Sequence, residues 1–229
     1  MTVYTSGDID GACIQFYYQN GSGLAPCGAG ELRIAGNDVT ITGEAASISG
    51  APNAGSSGYC AQGPNPGLIT TVGLADQVTF QSDGEQPLTV YGQIDVQAKL
   101  VNNARFGVGR AGGVMKLSGY PKAGNGEWFN EFVRSDPAQV GVLEVDVEVG
   151  GSATWRISDD PDAVIWIKAD CTALTGDVEV SKGLLQIDAN FCTTGELTVE
   201  GVNNHLGSDA GSRIWVAREK SASFGGSCQ

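Results

Sequence analysis

The sequence predicts an all-β protein, built as a right-handed parallel β-helix (β-solenoid) with one short helix, on three observations. Alternating apolar and polar residues recur along the chain. Glycine is abundant, with 34 residues among 229. Short alternating triplets also end in a glycine turn at a fixed spacing. Frequent turns and brief alternation suit strands rather than long helices. An antiparallel β-sandwich is the alternative, because alternation by itself does not set strand direction.

The clearest spacing lies near the start, in Leu32-Arg33-Ile34-Ala35-Gly36, Val39-Thr40-Ile41-Thr42-Gly43 and Ala46-Ser47-Ile48-Ser49-Gly50. Ile-x-Gly returns there every seven residues. Each unit fits one face of a coil, and three faces make a coil of about 21 residues. Gly50 to Gly67, ending Gly63-Pro64-Asn65-Pro66-Gly67, reads as a long loop within a single domain spanning 1–229. Val78 and Phe80, Leu88 and Val90, and Ile94, Val96 and Ala98 alternate as strands do; so do Leu143, Val145, Val147 and Val149, then Trp155 and Ile157, and finally Ile214 and Val216. Trp128, Phe129, Phe132 and Val133 fall at helical spacing, with Asn125 as a cap and Pro137 as a stop, which predicts the short helix. Cys171-Thr172 and Cys192-Thr193 lie 21 residues apart, so neighbouring coils would bring these cysteines together as a disulfide.

The six cysteines (Cys13, Cys27, Cys60, Cys171, Cys192, Cys228) are even in number and contain no C-x-x-C, and there is one histidine. That pattern favours disulfides over zinc and an extracellular or cell-surface location; the partners of Cys13, Cys27, Cys60 and Cys228 stay open. Lys and Arg total 13 against 26 Asp and Glu, a formal charge of −13, which repels phosphate backbones and argues against nucleic acid. The longest apolar run, Ala163 to Ile167, is far too short for a membrane span. The first residues show no basic segment followed by an apolar one, so an exported form would have carried its leader in place of Met1.

Chemical motifs are sparse. Gly107-Val108-Gly109-Arg110-Ala111-Gly112 matches G-x-G-x-x-G, but Gly113-Val114-Met115-Lys116-Leu117 after it alternates as a strand, leaving no helix N-terminus for a pyrophosphate. His205 is a loop residue without a G-x-S-x-G partner, so a serine-hydrolase triad is disfavoured. Asp159, Asp160 and Asp162 are the candidate calcium ligands, although Asp and Pro are also ordinary turn residues; Asp8-Ile9-Asp10-Gly11 lacks the rest of a calcium loop. Lys168, Lys182, Arg156 and Arg213 near strand ends are basic residues of the kind a uronate lyase uses, yet no spacing selects a catalytic one. Tyr17, Tyr18, Tyr120, Trp128 and Trp155 offer aromatic rings either for sugar stacking or for the core. No catalytic residue and no cofactor is assigned.

The stretch Leu174 to Gly201, centred on Gly176-Asp177-Val178-Glu179-Val180-Ser181-Lys182-Gly183-Leu184-Leu185-Gln186-Ile187, resembles the repeats of secreted parallel β-helix proteins, including autotransporter-passenger-like surface proteins. The resemblance implies an exposed solenoid used for adhesion, scaffolding or polysaccharide contact, and transfers no site residue. The leading expectation is therefore a non-catalytic structural or adhesive surface protein that self-assembles into a layer, sheath or filament, with further copies of itself or a surface polysaccharide as partner. The alternative is a carbohydrate-active enzyme, a polysaccharide lyase or glycoside hydrolase, or a carbohydrate-binding module.

Overall fold

A computed structural model describes residues 88–200 and 211–228 continuously, residues 67–71 and 76–81, and the backbone of eight short strands within the first 50 residues. Among them there is no helix, and all pairing is parallel except the hairpin of Tyr18–Asn20 with Gly23–Ala25.

The strands form three walls around one apolar core. The first wall runs through Thr2–Thr5, Glu31–Ile34, Gly67–Thr71, the second half of Leu88–Val96, the second half of Arg105–Leu117, Gly141–Val145, Ala163–Ile167, Gly183–Ile187 and Ser212–Val216. The second holds Val39–Thr42, Val78–Gln81, Leu100–Asn103 and Lys122–Gly124, and further along Cys171–Leu174, Phe191–Thr193 and Ala222–Phe224. The third holds Ser47–Ser49, the first halves of the two long strands, Glu127–Asn130, Thr154–Ile157, Val178–Val180 and Leu197–Val199. The chain visits first, second and third wall in that order and then repeats. The cross-section is thus closed, while Thr2–Thr5 and Leu197–Val199 stand at opposite ends of the sheet path and do not pair with each other.

Alternation decides which side chains fill the tube. Gly141–Val145, Ala163–Ile167 and Gly183–Ile187 each bury every second residue. Leu143, Ile165 and Leu185 therefore stack on successive strands. An aromatic column runs through the same core: Phe80, Phe106, Trp128, Trp155, Phe191 and Phe224, with successive centroids 4.6, 5.8, 6.1, 6.5 and 5.5 Å apart. Buried amides hold the corners. Asn130 donates from Nδ2 to the Gly141 and Val164 carbonyls, and its Oδ1 accepts the Phe132 N–H. Without them these turns would leave buried backbone groups unpaired.

Several sequence expectations are corrected here. The right-handed β-solenoid of regular 21-residue coils with a short helix does not form as expected. Paired strands are offset by 19 residues at Val178 and Leu197 but by 39 at Val39 and Val78, because corners of unequal length separate the walls. The antiparallel β-sandwich fails on strand direction. The segment read as a helix is the strand Glu127–Asn130, paired on both sides. Trp128 and Phe132 belong to the main core cluster, and Phe129, on the other side of the strand, is also fully buried, beneath Arg105, whose guanidinium carbon lies 5.4 Å from its ring centroid. Two ladders satisfy the backbone of this segment, which outweighs its helical spacing.

The Cys171–Cys192 disulfide is also corrected. Cys171 pairs in register with Phe191, not with Cys192. That one-residue offset turns the two side chains to opposite faces of the wall. Cys171 is a buried free thiol, its pKa pushed up to about 11 by burial. Cys192 is bonded instead to Cys228, with Cα atoms 5.6 Å apart. Side chains of Cys13, Cys27 and Cys60, the loop within 50–67, Tyr17 and His205 lie outside the described residues.

Gly107 and Gly112, from the G-x-G-x-x-G match, have structural roles. A Cβ on Gly107 would sit 1.9 Å from the Phe129 carbonyl oxygen, and Gly112 turns the chain between walls with φ +82°. Both lie inside the strand Arg105–Leu117, so no helix begins there.

Candidate functional site

The outer surface of the first wall carries a column of side chains at successive strand positions: Asp95, Lys116, Glu144, Trp166, Gln186 and Trp215. Strict alternation puts them there, since Ile165 and Ile167 on either side of Trp166 are buried. Trp166 and Trp215 stand two strands apart, about 9.6 Å at the usual strand spacing. Beside this column runs an apolar one of Val142, Val164 and Leu184, ending at Arg213.

Trp215 is 49% exposed, the most exposed large apolar side chain among the described residues. Trp166 is half-buried and fixed: its Nε1–H donates to Asp188 Oδ2 at 2.7 Å, and Gln186 Nε2 donates to the same oxygen at 3.2 Å. Asp188 Oδ1 has no hydrogen-bond partner among the described residues. Lys168 Nζ lies 4.9 Å from the Trp166 ring centroid and donates to Glu144 Oε1 at 2.9 Å. Lys116 bridges Glu144 and Asp146 at 3.5 and 2.8 Å. The hydrogen bond between Lys116 and Asp146 raises the lysine pKa and lowers that of the carboxyl. The lysines of this face are thus held by carboxylates, and its most exposed chemistry is aromatic.

Two clefts lie elsewhere. One of about 590 Å³ on the second wall is lined by Thr172, Asn190, Cys192, Ser221, Ser223 and Ser227, beside the Cys192–Cys228 bond. Next to it Asp170 accepts the Asn190 backbone N–H and then its side-chain amide, which hold its pKa down. The other, about 130 Å³ on the third wall, is lined by Arg156, Glu179, Ser181, Thr198 and Glu200.

The residues singled out from sequence are dispersed. Asp159 pairs with Arg110 at 3.1 Å and Asp162 with Arg134 at 3.0 Å. Asp160 accepts the N–H groups of Arg134 and Asp162. The three carboxylates thus tie a corner to the strand Arg105–Leu117 and to the segment that follows Glu127–Asn130, and no group of three or more His, Cys, Asp or Glu among the described residues is placed to hold a metal ion. Arg213 donates to the Pro161 carbonyl, and Lys182 is exposed at the next corner. Trp128 and Trp155 belong to the core and offer no stacking surface. Trp166 and Trp215 were missed; the signal was in Ala163-Val164-Ile165-Trp166-Ile167 and Arg213-Ile214-Trp215, where an aromatic stands at the outward position.

The chain matches no family model, no curated protein and no solved structure. The fold, and not that absence of a match, corrects the resemblance to secreted parallel β-helix surface proteins of the autotransporter-passenger type: the described strands close around a single core with irregular pairing offsets and do not form an open array of regular repeats. The reading as a self-assembling adhesive or structural subunit is corrected with it. The described chain is a compact domain on one core, its last two strands and the turn between them carry exposed Arg213, Arg218, Glu219 and Lys220, and its tail is tied back by Cys228. Charge and a tethered tail both oppose edge-to-edge addition.

Proposed function

We propose that this protein is a carbohydrate-binding domain acting outside the cell, and that the first wall is its binding face. The observation that carries this reading is the pair Trp166 and Trp215, outward-facing on one column of a rigid wall, among hydrogen-bonding side chains. A pyranose ring has an apolar face of C–H groups and a rim of hydroxyls. An indole covers the first, while Gln186 and Glu144 suit the second. The Cys192–Cys228 bond supports an oxidising compartment.

Affinity electrophoresis and calorimetry against a panel of soluble polysaccharides test the reading. Binding that is lost in Trp166→Ala and Trp215→Ala, with melting temperature retained, supports it. A wild-type protein that binds no member of the panel refutes it.

A second reading rests on the cleft of the third wall, where Glu179 and Glu200 flank a small cavity beside Arg156. Paired carboxyls are the machinery of glycoside hydrolysis. Release of reducing sugar, abolished by Glu179→Gln or Glu200→Gln, would establish it; a panel of glycans left uncut rules it out.

A further inference from the structure

We infer that the face selects a neutral, extended, linear glycan lying along the tube axis, with Asp188 as the positioning residue for Trp166. This inference rests on the carbohydrate-binding reading and deepens it.

The orientation follows from the register. Trp166, Gln186 and Trp215 are in-register partners on three successive strands. A line through the two indoles therefore crosses the strands, and a ligand touching both must do the same. A chain laid along one strand would meet one tryptophan only. The separation of about 9.6 Å is too long for one sugar ring and suits stacking on two rings of an extended chain, with Gln186 between them.

Charge gives the class. The protein carries −13 overall, which repels a polyanion before contact. On the face itself, Lys116 and Lys168 are engaged by Glu144 and Asp146, and Arg213 is turned to the Pro161 carbonyl. A uronate or sulfate group would have to break these pairs to gain a counter-ion. A neutral glycan needs only hydroxyl partners and ring faces, which the wall leaves available.

Asp188 sets the plane of the inner platform. Its Oδ2 accepts the Trp166 indole N–H at 2.7 Å and the Gln186 amide at 3.2 Å, so one carboxylate orients both the ring and the polar group between the rings. Losing this bond frees the indole from its fixed plane, so ligand binding must re-order the ring, and an ordering cost of that kind corresponds to about a tenfold fall in affinity.

The test is calorimetry on the full chain with hexasaccharides and disaccharides of β-1,4-linked glucose, xylose and mannose, and with polygalacturonate, for wild type, Asp188→Ala, Asp188→Asn and Trp166→Phe. Expected are binding to at least one neutral hexasaccharide and at least tenfold weaker binding of its disaccharide. Asp188→Ala and Trp166→Phe should each weaken binding about tenfold, and Asp188→Asn, which keeps an acceptor, should largely restore it. The indole N–H vibration in ultraviolet resonance Raman should shift in Asp188→Ala and not in Asp188→Asn. Preference for polygalacturonate, or a disaccharide bound as tightly as the hexasaccharide, overturns the ligand class while leaving carbohydrate binding intact. Unchanged affinity in Trp166→Phe overturns the role of Asp188 even if Asp188→Ala fails to fold. No binding to any glycan, neutral or acidic, removes the carbohydrate reading itself.

Discussion

Replacing Trp155 tests the aromatic column at its centre. Trp155 is 1% exposed and lies between Trp128, at 6.1 Å and nearly stacked, and Phe191, at 6.5 Å and edge-on. Truncating such a side chain to alanine costs about 3–5 kcal/mol in lost transfer energy and a residual cavity. The register strands the cavity: walls paired on both sides of Thr154–Ile157 cannot collapse inward without breaking ladders. One effect works the other way. The Trp155 Nε1–H has no acceptor among the described residues, and an unpaired buried donor costs about 1–3 kcal/mol, which truncation relieves. The net expectation for Trp155→Ala is about 2 kcal/mol, or roughly 4–8 °C in Tm for a chain of this size. Trp155→Phe keeps a ring in the column and removes the orphan donor, so it should cost under about 1.5 kcal/mol. Urea denaturation followed by circular dichroism, with the slope checked for constancy, measures both. A cost below about 1 kcal/mol for the alanine variant, or equal costs for the two, would refute the column as a principal source of stability.

Other outcomes follow from single residues. Lys122 occupies an inward position on the second wall, where its ammonium donates to the carbonyls of Ala98, Ser118 and Tyr120, while burial pushes its pKa down to about 7 against the pull of Asp95. Because the unfolded chain then holds the proton up to about pH 10.5, the unfolded state binds more protons between pH 7 and 10.5 and this group makes stability rise with pH, at most about 1.4 kcal/mol per unit. Cys171, with its raised pKa, acts oppositely above pH 9, so the slope should be read from pH 7 to 9 and should flatten in Lys122→Met; identical slopes in the two proteins would contradict it. Cys192→Ser should cost up to about 4 kcal/mol for a closure of 36 residues, and non-reducing peptide mapping should link Cys192 to Cys228 and leave Cys171 alkylated only after denaturation. Gly107→Ala should destabilise by about 3 kcal/mol or more, read as a fallen urea midpoint, because its Cβ has the Phe129 carbonyl in its place; a neutral substitution would show that the walls yield there.

The sequence by itself determined the all-β character and the inward positions. Val78 and Phe80, Leu143 and Val145, Trp155 and Ile157 are core residues, as their alternation requires, since a strand's period of two is a local property. The short triplets near the start were legible for the same reason: Glu31–Ile34, Val39–Thr42 and Ser47–Ser49 are separate strands on three different walls. Three things were decided only by the tertiary structure. Pairing offset depends on how long each corner runs, which no local pattern encodes, so a single period of 21 residues could not describe it. Register places Cys171 beside Phe191 and frees Cys192 for Cys228, an outcome that turns on a shift of one residue. The binding face was hidden likewise. Trp166, Gln186 and Trp215 are far apart in sequence, and only parallel pairing of their strands sets them in one column, whereas Trp128 and Trp155, equally plausible as surface rings, fall on the inward side. Alternation tells which residues share a side of one strand; the long-range ladder decides which strands are neighbours, and a site made from several strands exists only once those neighbours are fixed.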